Sequence, residues 1–348
     1  MKKNYFFSFL VCTIVLNLAS CKKDQPKAIT ELSIVTNDID PANITDSEVL
    51  FSIQLIADGN SPITAFGYCW SRINSSPTID DVDHMVVYNN AKIGFTYNSK
   101  LDKLNPYDTY YVRAFATNEA GKTAYGETKT FKTKPGTFTD IDGNLYHTIT
   151  IGDQVWMQEN WKCQKMSKSS AIITIVSDNN VWKTTVSPAL CWYSNDNTNT
   201  AKNTYGGLYN WYAITNQDFA PNGWHVPLFS EASKLATNLG GTDVAGGKLK
   251  DIKLTANGGT WVAPNTGATN ESNFTGLAAG FRLDDSSFNG LGIVTEYWLI
   301  STDSSFPYAA FSLHNNEAKV HVYWYSNNQS TARLGGSVRL LRDTPANF

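Results

Sequence analysis

The sequence predicts two folded domains of different class, an all-β sandwich over residues 29–134 and an α+β, loop-rich domain over residues 135–343. Before residue 135, short β-type runs are separated by turn residues, and helical periodicity is absent. After it come nine of the ten tryptophans, glycine- and asparagine-rich loops and one short helical stretch. A Pro-Gly pair in TKPGTF interrupts the strand pattern between the two regions, and we take it as the boundary.

The first twenty residues have the features of a secretory signal. Lys2 and Lys3 precede an apolar run from Tyr5 to Leu18 that is too short to span a bilayer as a mature helix. The run ends in Leu-Ala-Ser-Cys, which resembles the bacterial lipobox. That resemblance implies cleavage before Cys21 and attachment of lipid to this cysteine. The alternative is an ordinary cleavage site that happens to precede a cysteine.

Residues 21–28, CKKDQPKA, are polar and are expected to form a tether. CKKDQ also partly resembles the charged export tag of surface lipoproteins, which implies exposure at the cell surface. Because more than one acyl chain gives stable anchoring, we expect a lipid anchor at Cys21 in the bacterial outer membrane. No other apolar segment is long enough to cross a membrane.

The charge balance argues against nucleic acid as a partner. Loss of residues 1–20 removes Lys2 and Lys3, so that the 28 basic side chains fall to 26 against 31 acidic ones. The resulting net charge of −5 gives no electrostatic footprint for nucleic acid.

Three cysteines belong to the expected domains, namely Cys69, Cys163 and Cys191. Export into an oxidising compartment allows one disulfide. Cys163 and Cys191 lie in the same half of the chain, so we predict a bond between them. Cys69 is then expected to be a buried thiol in a strand.

Five runs predict the strands of the first domain: SEVLFSIQLIAD, ITAFGYCWSR, AKIGFTYNSKL, TYYVRAFATN and YGETKTFKT. In TYYVRAFATN, alternation assigns Tyr111, Arg113 and Phe115 to one face, and the opposite face receives Tyr110, Val112, Ala114 and Ala116. This pattern is typical of a half-buried sandwich strand.

The later part of the first domain resembles a fibronectin type III domain, on the positions Leu104, Pro106, Tyr110, Val112, Ala114, Ala116, Asn118 and Gly121. The resemblance implies that Tyr110 is a corner tyrosine, whose hydroxyl ties a loop to the strand. GYCWS looks like the version of this module found in surface lipoproteins of Bacteroidetes-type bacteria. Such modules usually act as spacers.

The second domain opens with DIDGN, in which Asp140, Asp142 and Asn144 are spaced like the start of an EF-hand loop. The bidentate glutamate that such a loop needs is missing, so we interpret DIDGN as a turn. Asp142-Gly143 suits a type I′ turn and Gly152-Asp153 a type II′ turn. Together they predict a three-stranded meander.

The stretch PNGWHVP, residues 221–227, predicts a fixed loop before a short helix, because each proline restricts φ and the residue before it. Ser230 is the predicted N-cap of the helix, and the glycine pair at 240–241 is its predicted stop. No titrating partner of His225 is evident nearby. We therefore assign Trp224 to the core and His225 to hydrogen bonding within the loop.

Long motifs follow in order along the second domain: DIDGNLYHTITIGDQVWMQENWK, YGGLYNWYA, APNGWHVP, SNFTGLAAGFR, YWLISTD and GGSVRLLRD. This order resembles the FISUMP family, the Fibrobacter succinogenes major paralogous domain. The late motifs also resemble the C-type-lectin-like fold shared with formylglycine-generating enzymes, an analogy of fold that does not transfer function. The helix start departs from the family pattern, since PLFSEASKL replaces the usual Pro-Ser-Asp-x-Glu-Trp.

Recognised catalytic motifs are absent, including a Gly-x-Ser-x-Gly elbow, His-Glu-x-x-His, a Walker loop and Cys-x-x-Cys. The oxidase relatives of the lectin-like fold need a late cysteine pair, and no cysteine follows Cys191. The loop and strand motifs of calcium-dependent lectins are absent as well. We expect no enzymatic activity, no cofactor and no metal site.

Two further sets of side chains are of types that can carry chemistry. His314 and His321 are seven apart and could share a face only in a helix, whereas KVHVYWY alternates like a strand, so we interpret both as structural. Glycoside cleavage needs paired carboxylates. The carboxylates that would have to converge are Asp284, Asp285, Glu296, Asp303 and Glu317.

Aromatic and amide side chains occur together in predicted loops, where indole faces can stack on sugar CH groups and amides can bind hydroxyls. The candidate ligand-binding residues are Trp192, Tyr193, Asn195, Trp261, Asn265, Tyr323, Trp324 and Tyr325. The alternative is that the tryptophans hold a loop-rich domain together. We predict a surface protein that binds a glycan or protein ligand; an enzyme acting on surface polysaccharide and a purely structural envelope component are the alternatives.

Overall fold

The computed structural model describes residues 31–80 and 85–343. The expected signal peptide, Cys21 and the tether lie outside the described residues. Sheet makes up most of the regular structure, and the helices are few and short. Within the described ranges, no helix is both long enough and apolar enough to cross a membrane.

Antiparallel strands form the first part of the chain, with a short 3-10 helix at Pro41–Asn43. The strands are β1 Leu32–Thr36, β2 Val49–Asp58, β3 Ile63–Ser71, β4 Met85–Tyr88, β5 Thr96–Leu101, β6 Thr109–Asn118, β7 Thr123–Tyr125 and β8 Lys129–Lys132. One sheet has the order β1-β2-β5, and the other has the order β4-β3-β6-β7 with β8 also paired to β6. Side chains of both sheets, such as Ile53 and Tyr68, share one hydrophobic core.

Strand β6 has the predicted bounds and the predicted buried face. Its inward positions are buried: Tyr110, Val112, Ala114 and Ala116. Phe115 was predicted to lie on a half-exposed face but is buried as well, so the sandwich covers the outer face of β6 at this position. The Tyr110 hydroxyl accepts a hydrogen bond of 2.7 Å from the backbone N–H of Asn105, which ties the preceding loop to the strand.

The second part of the chain contains thirteen strands and six α-helices among its described residues. The strands are β9 Gly136–Thr139, β10 Leu145–Ile151, β11 Gln154–Met157, β12 Thr174–Ile175, β13 Ala189–Cys191, β14 Leu208–Tyr209, β15 Trp224–His225, β16 Ala279–Arg282, β17 Phe288–Leu291, β18 Val294–Ile300, β19 Tyr308–His314, β20 Val320–Trp324 and β21 Leu341–Arg342. The helices are α1 Asn179–Thr184, α2 Asn199–Tyr205, α3 Trp211–Ile214, α4 Phe229–Asn238, α5 Thr242–Leu249 and α6 Gln329–Ala332. Short 3-10 helices cover Tyr193–Asn195 and Thr255–Asn257.

These strands form three sheets, with the orders β15-β21-β11-β10-β9, β12-β13-β14 and β17-β16-β18-β19-β20. Within the described residues, strands on either side of residue 135 pair only with strands of the same part. The core is rich in indole rings, and four of them are fully buried: Trp156, Trp161, Trp182 and Trp261. These tryptophans hold a loop-rich unit together, which was the alternative to a ligand-binding role.

Strands β9, β10 and β11 form the predicted meander. Gly152 and Asp153 make a two-residue loop, since Ile151 pairs with Gln154 across it. Gly152 has a φ of 63°, a left-handed conformation that glycine adopts without strain.

The prediction of a two-residue turn at Asp142-Gly143 is wrong. Thr139 pairs with Leu145, so the loop between β9 and β10 spans the five residues 140–144. The buried carboxylate of Asp140 organises this wider loop. It accepts hydrogen bonds from the backbone N–H groups of Asp142 and Asn144 and from the Tyr146 hydroxyl.

Helix α4 starts earlier than predicted, with Leu228 rather than Ser230 at the N-cap position. Glu231 accounts for the shift, because its Oε2 accepts a hydrogen bond of 2.7 Å from the backbone N–H of Leu228. A carboxylate thus satisfies a donor at the helix start that the helix itself leaves unpaired. The predicted stop is confirmed, since the helix ends before the glycine pair and Gly240 has a φ of 96°.

Two arginines, Arg282 and Arg339, are almost fully buried. Arg339 donates to the Asn160 side-chain oxygen at 2.9 Å, to the Thr275 carbonyl at 2.9 Å and to the Phe274 carbonyl, and it lies over the Phe274 ring. All these acceptors are uncharged. The guanidinium therefore acts as a multivalent donor that joins segments distant in sequence.

The two parts of the chain are in contact at the loop before β6. The Thr150 hydroxyl donates to the Pro106 carbonyl at 2.6 Å. Arg342 donates to the Asn105 side-chain oxygen at 3.1 Å. The loop that Tyr110 holds is therefore also a contact surface for the second part.

Candidate functional site

Strands β18, β19 and β20 form an antiparallel sheet whose two faces differ. Tyr297 and Phe311 point from one face into the core beneath helices α4 and α5. The other face carries Glu296, Ser312 and His321, which are in register across the three strands. Alternation along each strand therefore places these three polar side chains together on the face away from this core.

A cavity of about 540 Å³ opens on this polar face and at the edge strand β20. We call it the sheet groove, and its principal lining residues are Glu296, Ser312, His314, Glu317, His321 and Tyr323. Its volume lies within the range of small-molecule sites in proteins.

Glu296 lies at the inner side of the sheet groove. The Tyr325 hydroxyl donates to its Oε2 at 2.6 Å, and the hydroxyls of Tyr323 and Tyr325 are 3.3 Å apart. Burial raises the pKa of Glu296 despite these hydrogen bonds, because the charged form is poorly solvated there. The glutamate and the two tyrosines form a connected polar network that faces the cavity.

The turn between β19 and β20 carries a second polar cluster. His321 Nε2 is 2.8 Å from Glu317 Oε1, and the His314 and His321 rings are 5.2 Å apart between centroids. One ligand atom from each of these three residues lies within 4.8 Å of the other two. Two imidazoles and a carboxylate are a donor set that can hold a divalent transition-metal ion.

Lys250 holds this turn through hydrogen bonds to its backbone. Its buried ammonium group donates to the carbonyl oxygens of Thr266, His314 and Glu317, each at 2.8 Å. Burial lowers the pKa of Lys250 to about 8. A cation held by three backbone carbonyls fixes the conformation of the turn that carries the cluster.

The structure corrects the interpretation of the two histidines. His314 and His321 share one face of a β-hairpin, because His321 pairs with Ser312, two residues before His314 on the same face. The expectation that they could share a face only in a helix is therefore wrong. The expectation of no metal site rested on the absence of lectin calcium motifs and did not consider the grouping of His314, Glu317 and His321 that the hairpin produces.

Three of the predicted ligand-binding residues are buried, which is a further correction. Trp261 is fully buried, and its Nε1 donates to the Gly276 carbonyl at 2.7 Å. Asn265 is buried and donates to the Asp251 carbonyl at 2.9 Å. Trp192 is packed in a hydrophobic cluster. None of these three can stack on or bind an external ligand, because their surfaces are already used inside the protein.

Two others lie away from the sheet groove. Tyr193 packs against Phe288, with 5.2 Å between ring centroids. Asn195 is partly buried and donates to the Ser177 carbonyl at 2.9 Å. Neither residue lines the groove.

The motif VYWYS divides between the two faces of the sheet. Tyr323 lines the groove, and Tyr325 is linked to Glu296 at its inner side. Trp324 points to the opposite face, where it stacks on Phe229 at 3.9 Å between ring centroids. The predicted trio therefore does not form a single binding surface.

The expectation for Trp224 and His225 is partly corrected. Trp224 is buried in a hydrophobic cluster, as predicted. His225 has two titrating partners, although none was evident nearby in the sequence: its Nε2 is 2.9 Å from Glu231 Oε2, and its Nδ1 is 2.6 Å from Asp343 Oδ1. The imidazole thus connects the start of α4 to Asp343, the residue that follows β21, which is a scaffold role.

The predicted disulfide between Cys163 and Cys191 is wrong, because both residues are buried thiols that belong to separate hydrophobic clusters. Cys163 Sγ donates to Asp142 at 3.4 Å and to the Lys165 carbonyl at 3.3 Å. Cys69 is buried in β3, as predicted, with its Sγ 3.2 Å from the Pro77 carbonyl oxygen.

Of the five carboxylates considered for glycoside cleavage, the structure brings Glu296 and Glu317 to the same cavity. Asp285 is instead used by Ser287 in the turn between β16 and β17, and Asp303 by Ser305 in the turn after β18. Asp284 lies in the first of these turns.

Sequence reasoning missed Ser312 and the clustering of the histidines. The signal that could have revealed both is the alternation of YAAFSLH and KVHVYWY. If the two runs pair as a hairpin, Ser312, His314 and His321 fall on the same face.

The comparisons with known proteins agree with the motif order along the chain. The model of the Fibrobacter succinogenes major domain, Fib_succ_major, matches residues 149–342, which is more than half of the sequence. The chain belongs to this family. No curated protein matches it.

Among solved structures, the sensor domain of the anti-sigma factor RsgI4 in Pseudobacteroides cellulosolvens is similar to part of the chain. The match has 15% sequence identity and a TM-score of 0.23, and it covers 31% of this chain and 98% of that chain. A score this low carries no argument about fold or function.

Proposed function

We propose that this chain is a lipid-anchored protein of the bacterial outer surface that binds a glycan in the sheet groove. The observation that carries the proposal is the composition of the groove, in which the Tyr323 ring lies beside the Glu296 carboxylate and the Ser312 hydroxyl. Sugars bind through ring faces that cover their CH groups and through polar groups that pair with their hydroxyls. The groove offers both on one open face.

The rest of the chain fits a stalk that presents this groove. The hydrogen bond between Tyr110 and Asn105 supports a fibronectin type III-like spacer over residues 29–134, because the corner tyrosine of that fold makes this kind of contact. For residues 135–343, the helices α4 and α5 followed by the sheet β16 to β20 support a C-type-lectin-like fold. Lipid on Cys21 would connect the spacer to the membrane.

A glycan and host-matrix array with the full-length chain in detergent tests the binding function. We expect saturable binding to at least one glycan, and weaker binding after Tyr323→Ala, which removes the ring, or Glu296→Gln, which removes the charge. Trp324→Ala is the matched control, since Trp324 is the neighbour of Tyr323 on the opposite face. Wild-type binding that is lost equally in all three variants, or binding to matrix proteins alone, would contradict a glycan site in the groove.

The anchor is tested separately by replacing Cys21 with alanine. We expect the wild-type protein to fractionate with membranes and the variant to be released. Protease treatment of intact cells then reports whether the protein is exposed outward. Continued membrane association of the variant would argue against the lipid anchor without affecting the groove.

Glycoside hydrolysis is the second candidate function, favoured by one observation: Glu296 and Glu317 line the same cavity. Glycosidases use two carboxyl groups on opposite sides of the scissile bond. Reducing-sugar release from envelope polysaccharides by the full-length chain, lost in Glu296→Gln, would support this candidate. Binding of a glycan without turnover would leave the binding function as the better account.

A further inference from the structure

The hairpin of β19 and β20 gathers three side chains that can coordinate a metal ion. His314 ends β19, Glu317 lies in the turn, and His321 is the second residue of β20. Because Ser312 pairs with His321, the two histidines are diagonal neighbours on one face of the hairpin. The strand pairing within a single hairpin therefore brings the three side chains together, and no contact between distant loops is needed.

The spacing of the ligand atoms is close to that of a coordination sphere. The ligand atoms of the three side chains lie within 4.8 Å of one another. Ligands of tetrahedral zinc lie roughly 2.0–2.2 Å from the ion, which separates them from one another by roughly 3.3–3.6 Å. The side chains of His321 and Glu317 are 38% and 37% exposed, so they have room to turn inward by the remaining distance.

The surroundings satisfy two further requirements of a metal site. A coordinating histidine is usually held through its second ring nitrogen, and Ser312 Oγ lies 3.0 Å from Nε2 of His314. The cluster also borders the open sheet groove, so an ion bound by three protein ligands keeps a position that faces the cavity. Two imidazoles with one carboxylate favour zinc and neighbouring transition metals over calcium or magnesium, which prefer oxygen ligands.

The nearby charges act in both directions. Lys250 donates to the carbonyls of both His314 and Glu317, so it fixes the backbone of two ligands, while its positive charge opposes a second cation. Lys319 also lines the groove, whereas Glu296 contributes a carboxylate to the same cavity. The fixed backbone favours binding of an ion, whereas the two nearby ammonium groups, Lys250 and Lys319, weaken it.

We infer that His314, Glu317 and His321 form a divalent transition-metal site at the edge of the sheet groove, with Zn²⁺ as its representative ion. The inference goes beyond glycan binding and does not depend on it. A metal at this position would add a Lewis-acidic centre that can coordinate a hydroxyl or carboxylate of whatever ligand enters the groove.

Calorimetric titration of the full-length chain in detergent with Zn²⁺, after removal of metal by EDTA, tests the site. We expect one ion per chain, and at least a tenfold loss of affinity in His314→Ala, His321→Ala and Glu317→Gln. The matched control is His147→Ala, because His147 is paired with Glu159 at 2.7 Å and lies outside the cluster. Titration with Co²⁺ gives a second readout, since visible absorption bands of tetrahedral Co²⁺ should appear in the wild type and disappear in the cluster variants.

The wild-type measurement alone can overturn the inference, so it does not depend on the variants folding. Absence of saturable Zn²⁺ binding up to 1:1 stoichiometry would overturn it. Binding that survives the triple cluster variant, or that is lost in the His147 control, would overturn it as well.

Discussion

The ammonium group of Lys250 lies 2.8 Å from the carbonyl oxygen of His314 and forms two equivalent bonds to Thr266 and Glu317. The cation therefore satisfies three backbone carbonyl groups, of which one ends β19 and one lies in the β19–β20 turn. A buried charge of this kind is stabilising only while its acceptors stay in place. The turn, the histidine cluster and the end of α5 are thus energetically coupled.

Lys250→Met is expected to reduce the free energy of unfolding by about 2–3 kcal/mol, because three buried carbonyl groups lose a charged donor. Urea denaturation of the variant and the wild type measures this difference. Lys248→Met is the control on the same helix, since Lys248 only pairs with the half-exposed Glu271 and should change stability by about 0.5 kcal/mol or less. Equal effects of the two substitutions would contradict the role assigned to Lys250.

His225 should make stability depend on pH. Burial alone lowers the pKa of His225, but hydrogen bonds to Glu231 and Asp343 outweigh it and raise the pKa above its ordinary value. A raised histidine pKa contributes stability that is complete below about pH 6.5 and is lost as the pH rises through the folded-state value. For Glu231, hydrogen bonds from His225 and Leu228 outweigh burial and lower the pKa, so its contribution is lost only in acid.

The wild type should therefore exceed His225→Gln in stability most strongly near pH 6, and the difference should shrink by pH 8.5. Denaturation of both proteins at the two pH values measures it. Glu231→Gln should flatten most of this dependence, because it removes one of the two carboxylates that hold the imidazolium. A difference that widens toward pH 8.5 would show that the imidazole is neutral in the folded protein.

Arg339→Lys is expected to destabilise the protein by about 2–3 kcal/mol, although the charge is kept. A lysine cannot reach Asn160, Phe274 and Thr275 together with the planar geometry of the guanidinium. Thermal and urea denaturation measure the loss. Arg342→Lys is the control and should cost about 1 kcal/mol or less, since it removes a single hydrogen bond to Asn105.

Cys163 and Cys191 should be unreactive thiols in the native protein. Burial raises the pKa of both, that of Cys191 to about 12, so little thiolate is available to attack a thiol reagent. Labelling with a thiol reagent followed by peptide mapping should modify the two residues only after unfolding. Recovery of a disulfide-linked peptide from the native protein would restore the bond that the structure contradicts.

Local patterns predicted much of the strand structure. TYYVRAFATN defines β6 over its full length because alternate inward residues are apolar and both ends carry turn signals. The meander at β9 to β11 and the end of α4 at its glycine pair follow from the same kind of signal. The start of α4 was misplaced because Glu231 caps the helix from inside, which a search for a capping hydroxyl does not detect.

The site was harder to predict because it depends on pairing and burial. His314 and His321 meet only once the hairpin register is known, and a spacing of seven residues does not contain that register. Trp192 and Trp261 lie in asparagine-rich stretches that suit a ligand site, yet their rings are buried. Composition does not distinguish an indole that binds a ligand from one that fills a core, since both are flanked by polar loops.

Strand β21 lies in the middle of its sheet, between β15 and β11, although it comes last among the described strands. Leu341 pairs with both Trp156 and His225, so until the ribosome has added residues 341 and 342, β15 lacks its strand partner and β11 is paired only with β10. Synthesis order and assembly order are therefore decoupled in this unit. A nascent chain that stopped before β21 would carry unpaired strand edges on β11 and β15. Unpaired edges of this kind promote aggregation.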